Sequence, residues 1–301
     1  MKRAITIGTR GSKLAIIQAE IVASMLKLCG ELVEIRTIKT TGDMTDQPLI
    51  EEGQKGLFVK EIEEALLKCE IDLAVHSMKD VPAKIPRGLC IAAIPERENP
   101  RDVFVSNKFS GLSKLSPCAR VGTSSPRRQA QLMDWRRDLK LLSIRGNVDT
   151  RLAKLDAGEF DAIILAAAGL VRLGKTDVIK EYIPVELMIP SVGQGALALE
   201  TRRDDSELME KLQKNCHHEE TAAAVLAERA YLKAVEGDCH TPLAAYATVK
   251  NGRLQMIAYL GSFDGGKGYR DHAEGFLDEA EKLGKRLADR LLHRRRTPFI
   301  K

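Results

Sequence analysis

Hydrophobic residues in the N-terminal half of the chain change period repeatedly, and each change marks an element. Ile5 to Ile7 forms a short β-like run, Gly8 to Ser12 reads as a turn, and Leu14, Ile17, Ile21 and Met25 recur at helical spacing behind Ser12 as N-cap. Glu31 to Thr40 reads as a second strand. From Leu57 to Leu67 the pattern is helical again, and Ile71 to Val75 returns as a strand that runs out into His76-Ser77-Met78-Lys79-Asp80. Strands alternating with helices predict an α/β fold with crossover helices. Residues 41–56 carry Gly42, Pro48, Gly53 and Gly56 without periodicity, which reads as a lid or a loop.

Displacing the sequence by 89 positions lays Val59 on Val148, Leu66 on Leu155, Glu70 on Glu159 and Asp72 on Asp161, so helix, acidic turn and strand recur in one order. Two related α/β domains explain the recurrence. The second is expected from about Asn99 to Ile189. Within it Arg120 to Thr123 leads into Ser125 as N-cap and Pro126 as first helical residue, and Leu141 to Ile144 leads into Asn147, the cap of a helix carrying Arg151. The apolar run Ala162 to Val171 reads as one strand before Arg172. The turn Gly193-Gln194-Gly195 and a strand from Ala196 to Glu200 form a hinge back to the first domain. The rest differs in kind: an alanine-rich helix from Thr221 to Val235, a loop around Cys239, a hairpin at Asn251-Gly252, and a closing helix with Ala280, Leu283, Leu287 and Leu291 on one face. Its end, His293 to Arg296, reads as solvated. The expected domains are residues 1–95 with 195–214, 99–190, and an α+β domain at 218–301.

Composition narrows the function. The 301 residues hold 47 Lys and Arg against 42 Asp and Glu, a net charge of only +5, and 4% aromatics, so neither a nucleic-acid surface nor a base-stacking platform is expected. Ala162 to Val171 is the longest uncharged apolar stretch, far short of the roughly 20 residues that span a bilayer. No membrane helix is expected. The start goes straight into a strand with no apolar secretory segment, which places the protein in the cytoplasm. Six cysteines without a CxxC pair read as free thiols, mostly buried.

The cations are concentrated. Arg10, Lys79, Arg127, Arg128, Arg145 and Arg151 sit in turns after strands, with Arg172 after the apolar run and Lys55 in the loop. Such positions favour anions, and arginine grips carboxylates bidentately, so the set points to an elongated ligand with several anionic groups; the alternative is pairing with neighbouring surface acids. Asp80 lies among them. An acid in a cationic setting stays ionised and suits stabilisation of a cationic intermediate, or else it answers a helix dipole. His76, His217 and His218 lack a third ligand at metal-binding spacing, and no metal is expected. Cys239, flanked by Gly237 and Pro242, reads as exposed and is either functional or incidental.

Several strings resemble one family. Asp72-Leu73-Ala74-Val75-His76-Ser77-Met78-Lys79-Asp80-Val81-Pro82, Gly122-Thr123-Ser124-Ser125-Pro126-Arg127-Arg128-Gln129, Arg145-Gly146-Asn147-Val148-Asp149-Thr150-Arg151, Gly193-Gln194-Gly195-Ala196 and Gly237-Asp238-Cys239 are similar, in order, to the porphobilinogen deaminases. The resemblance runs from about Ile5 to about Ala258. It implies an α/β fold of two type II periplasmic-binding-protein-like domains joined by a double hinge, plus a C-terminal α+β domain. It implies a monomeric transferase of tetrapyrrole biosynthesis, without metal or obligate protein partner, that condenses four porphobilinogen molecules head to tail with loss of ammonia. The chain would grow on a covalent dipyrromethane cofactor, held by a thioether to Cys239. Asp80 is then the catalytic residue that stabilises the cationic azafulvene. The resemblance assigns Ser77, Lys79, Thr123, Ser125, Arg127, Arg128, Arg145 and Gly146 to the cofactor. It assigns Arg10, Ser12, Arg151, Arg172 and Gln194 to the substrate, and Lys55 and Phe58 to the lid. Two cofactor rings and four product rings carry up to twelve carboxylates, a match for the arginines. Asp238, His240 and Thr241 depart from the family's usual loop, Pro126 stands where leucine is common, and Glu51 and Glu52 put negative charge in the lid. A non-catalytic binding module for a polycarboxylate is the rival reading; it would need neither Cys239 nor Asp80.

Overall fold

The computed structural model describes residues 3–41, 59–236, 241–261 and 268–296. Contacts divide the chain into two compact units, Met1–Glu98 with Ala196–Ala222, and Asn99–Gly195 with Ala223–Lys301. The chain begins β1 (Ile5–Arg10), α1 (Lys13–Leu28), β2 (Val33–Ile38), α2 (Lys60–Leu67), β3 (Leu73–Ser77) and β4 (Leu89–Ala93). It continues β5 (Asp102–Val105), β6 (Arg120–Gly122), α3 (Pro126–Trp135), β7 (Lys140–Leu142), α4 (Val148–Asp156), β8 (Ala162–Ala166), α5 (Ala167–Arg172) and β9 (Ile179–Tyr182). Then come β10 (Leu197–Arg202), α6 (Ser206–Cys216), α7 (Glu219–Ala234), β11 (Leu243–Lys250), β12 (Arg253–Leu260), β13 (Tyr269–Gly275) and α8 (Ala280–Arg296).

Two five-stranded sheets have the orders β2-β1-β3-β10-β4 and β7-β6-β8-β5-β9. In each the first three strands are parallel and the fourth position is taken by an antiparallel strand from the far side of a chain crossing, β10 in one and β5 in the other. The 89-residue displacement is therefore structural: it carries β3 onto β8 end for end. Equivalent residues do equivalent work. The backbone N–H of Asp72 donates to the Thr6 carbonyl at 2.9 Å and its carboxylate accepts from Thr6 N–H at 3.0 Å; Asp161 makes both bonds with Arg120, each at 2.9 Å. A Cβ on Gly8 would lie 2.3 Å from Ile71 Cδ1 and one on Gly122 2.9 Å from Phe160 Cδ1, so close packing demands glycine at both places.

The parallel strands are covered on both faces, as parallel sheets require. Leu73 and Val75 of β3 pack with Ala19, Val22 and Leu26 of α1, while Ala74 packs with Ile62 and Leu66 of α2. The three predicted caps form: Ser12, Ser125 and Asn147 side chains accept from the N–H of Ala15, Arg128 and Thr150. Downstream, β11-β12-β13 is a separate antiparallel sheet whose core takes Leu283, Leu287 and Leu291 of α8 and Tyr231 of α7. Asn251 and Gly252, with φ of 51° and 70°, make the left-handed hairpin turn.

Two expectations change. Ala162 to Val171 is two elements, β8 and then α5, so Arg172 ends a helix rather than following a strand. An unbroken apolar run is compatible with either a strand or a buried helix turn. Cys29, Cys69 and Cys118 are exposed, with Cys90 half-buried and Cys216 buried, because the exposed three occupy a helix cap and two surface turns; Cys69 and Cys118 have φ of 58° and 60°. The run at 293–296 is the solvated helix end expected, with His293, Arg294 and Arg296 exposed. No helix among the described residues is long and apolar enough to cross a membrane.

Candidate active site

The predicted residues gather at the carboxyl ends of the parallel strands in each unit, where open α/β sheets bind ligands. In the first unit β1 ends at Arg10 and hands over to the cap Ser12, while β3 ends at Ser77 and passes into a single 3₁₀ turn, Met78–Asp80. Arg10, Ser12, Gln18, His76, Ser77 and Asp80 line one depression there. Lys79 and Asp80 are exposed. A three-residue turn has no macrodipole to speak of, which removes the helix-dipole reading of Asp80. Period-two alternation clamps β3 from both sides: the side-chain amide of Gln18 on α1 donates to Ser77 Oγ at 2.9 Å, and His76 Nε2 meets Glu200 Oε2 of β10 at 3.0 Å.

In the second unit the cations behave in two ways. Arg127 and Arg128, on the first turn of α3, are buried and grip Asp102 of β5: Arg127 Nη1 reaches Oδ2 at 2.6 Å and Arg128 Nη2 reaches Oδ1 at 2.7 Å. Arg127 also donates to the Ile189 carbonyl and Arg128 to that of Ile164. Burial opposes ionisation of Asp102, but the two guanidiniums overcome it and hold the carboxyl far below the usual range. These arginines thus reach a neighbouring acid, though it is an interior one. Gln194 completes the network, donating to Asp102 Oδ1 at 3.0 Å and to the Pro100 carbonyl at 2.7 Å.

Arg145 and Gly146 are exposed in the loop before α4, Thr123 is buried beyond β6, and Ser125 is half-buried. Arg151 donates to the Gly146 carbonyl at 2.8 Å, and Arg172 to that of Gly195 at 2.7 Å. Burial, and then the positive charge of Arg128, lowers Arg151 to about 10. It stays cationic at neutral pH. Lys55, Phe58 and Cys239 lie outside the described residues. Thr41, the last described residue before the loop, donates from its N–H to Glu61 at 2.9 Å.

Sequence reasoning passed over Asp102 and Glu200, the two buried acids on the antiparallel strands. An acid inside an otherwise apolar strand, as in Asp102-Val103-Phe104-Val105, was the available signal.

Two five-stranded sheets of matching order, with cations at their strand ends, and a separate C-terminal antiparallel sheet with its helix together define the class: an α/β protein with an appended α+β domain. Its residues 5–210 match the family model for the dipyrromethane cofactor-binding domain of porphobilinogen deaminase, and residues 222–293 match that enzyme's C-terminal domain. Porphobilinogen deaminase of Trichlorobacter lovleyi is 52% identical, over 96% of this chain and 93% of its own length. That of Geobacter sulfurreducens is 50% identical over 96% and 91%. Among solved structures, the arginine-specific periplasmic binding protein of Salmonella typhimurium is similar at a TM-score of 0.42, with 12% identity over 71% of this chain and 91% of that one. The chain belongs to the porphobilinogen deaminase family.

Proposed function

We propose that the chain condenses four porphobilinogen molecules into a linear hydroxymethylbilane, working as a cytoplasmic monomer. The observation that carries the reading is the charge imbalance of the second unit. Arg127 and Arg128 converge on the buried carboxylate of Asp102, Arg151 feels the charge of Arg128, and Arg145 is exposed in the loop before α4. That donor set fits acetate and propionate side chains. The dipyrromethane would be held through its carboxylates by Arg145 and Arg151, with Thr123, Ser125 and Gly146 beside them, and attached at Cys239. When bound, it supplies a pyrrole α-carbon as the first acceptor.

At each addition the carbon–nitrogen bond of the substrate's aminomethyl group breaks, and ammonia leaves with the electron pair. Positive charge spreads over that pyrrole. Asp80, exposed on its turn and flanked by Lys79, presents a carboxylate that stabilises this charge. A carbon–carbon bond then forms to the terminal α-carbon of the growing chain, which loses its proton. Arg10, Ser12, Arg172 and Gln194 serve substrate carboxylates in this reading; Gln194 and Arg172 do so with part of their hydrogen-bonding already directed to Asp102 and Gly195. Arg127 and Arg128 serve chiefly by holding the strand ends in place.

Replacing Asp80 by Asn tests the assignment. Turnover is expected to fall at least about 100-fold with porphobilinogen binding changed by less than about threefold, because the lost interaction belongs to the transition state. Near-normal turnover in the variant would contradict the role of Asp80, and absence of turnover in wild type would favour the binding-module alternative.

A further inference from the structure

Behind the strand that leads into the Asp80 turn lie three titratable groups that the reaction above does not use. Glu200 is 1% exposed and His76 5%, and their side chains meet at 3.0 Å. Glu63, on α2, is 9% exposed and close enough to feel the charge of Glu200. One oxygen of each carboxyl, Glu63 Oε1 and Glu200 Oε1, is buried without a hydrogen-bond partner. Two ionised carboxylates in a dry site with a single imidazole are unfavourable, so a proton has to be retained there. Cys90 on β4 is the group that senses both Glu200 and Arg203, and Arg203 lies just past the end of β10; Arg10 and Asp80 share with His76 the depression at the strand ends.

We propose that Glu63, Glu200 and His76 form a buried array that positions the Ser77–Asp80 turn for turnover, Glu63 holding a proton there on the acid side of neutrality. His76 is the side chain immediately before that turn, on the face of β3 opposite the Ser77–Gln18 bond, so the array fixes one side of the strand end and α1 the other. Burial, and secondarily Glu200, pushes Glu63 up to about 7, which places its proton loss in the physiological range. Above that range a second negative charge develops behind the turn and loosens it. The proposal rests on the role given to Asp80.

Infrared titration of the wild-type holoenzyme reads the proton without turnover: a buried protonated-carboxyl band is expected near pH 6, lost by about pH 8.5 and absent in Glu63→Gln. Kinetics read the positioning. His76→Asn is expected to lower kcat about tenfold with KM within about twofold, and Glu63→Gln to keep kcat near pH 6 while losing the alkaline change in kcat. Absence of the band in wild type, or a Glu63→Gln pH profile superimposed on wild type, would overturn the array. Normal turnover in Asp80→Asn would instead remove the role of Asp80, so the two failures are read apart.

Discussion

The two five-stranded sheets share an order, a repeat displacement, a glycine under a large side chain and an aspartate at the same strand entry, yet they are charged oppositely underneath. Each inserts an antiparallel strand bearing one buried acid. In the first sheet Glu200 on β10 meets a histidine and a second acid, Glu63. In the second Asp102 on β5 meets two guanidiniums, with a third cation, Arg151, nearby. One strand order thus sets an interior acid against different partners in the two sheets. The first unit exposes the carboxylate of Asp80 at its strand end; the second exposes Arg145.

The same substitution in both sheets breaks this comparison most sharply. Asp102→Asn strands two buried guanidiniums and is expected to cost about 3–5 kcal/mol in urea unfolding. Glu200→Gln keeps an acceptor for His76 and removes a like charge from Glu63, so its cost is expected below about 1 kcal/mol. Equal losses would erase the distinction. A smaller effect follows from Glu63. Its folded value of about 7 lies above the ordinary 4.5, so ionisation costs the folded state and stability declines as pH rises through that window. Glu63→Gln lacks the decline: it should match wild type near pH 4 and exceed it by as much as ~3 kcal/mol above pH 8, measured by unfolding at each pH. Smaller again, Gly122→Ala, pressing on Phe160 at 2.9 Å, is expected to cost about 1–3 kcal/mol, and its failure to do so would weaken the structural equivalence of the sheets.

Much of this architecture was legible in the chain. Period changes located β1, α1, β3 and α4, the caps at Ser12, Ser125 and Asn147 formed as read, and the offset from Asp72 to Asp161 proved to be a pair of identical strand entries. What escaped depended on distance along the chain. Nothing local ties Asp102 to Arg127 and Arg128, or Glu63 to Glu200; only sheet order brings them together. Arginines at helix starts look alike in sequence whether they face inward, as Arg128 does, or outward, as Arg145 does. The split of the apolar run into β8 and α5 was hidden for another reason, since uniform hydrophobicity carries no period.

Intact-mass measurement of the purified protein, before and after adding porphobilinogen, tests the central claim most directly. Wild type is expected to exceed its sequence mass by two pyrrole units and then to gain further units one at a time, while Asp80→Asn carries the same initial excess and advances far more slowly. An unmodified mass in protein that turns porphobilinogen over would contradict the account.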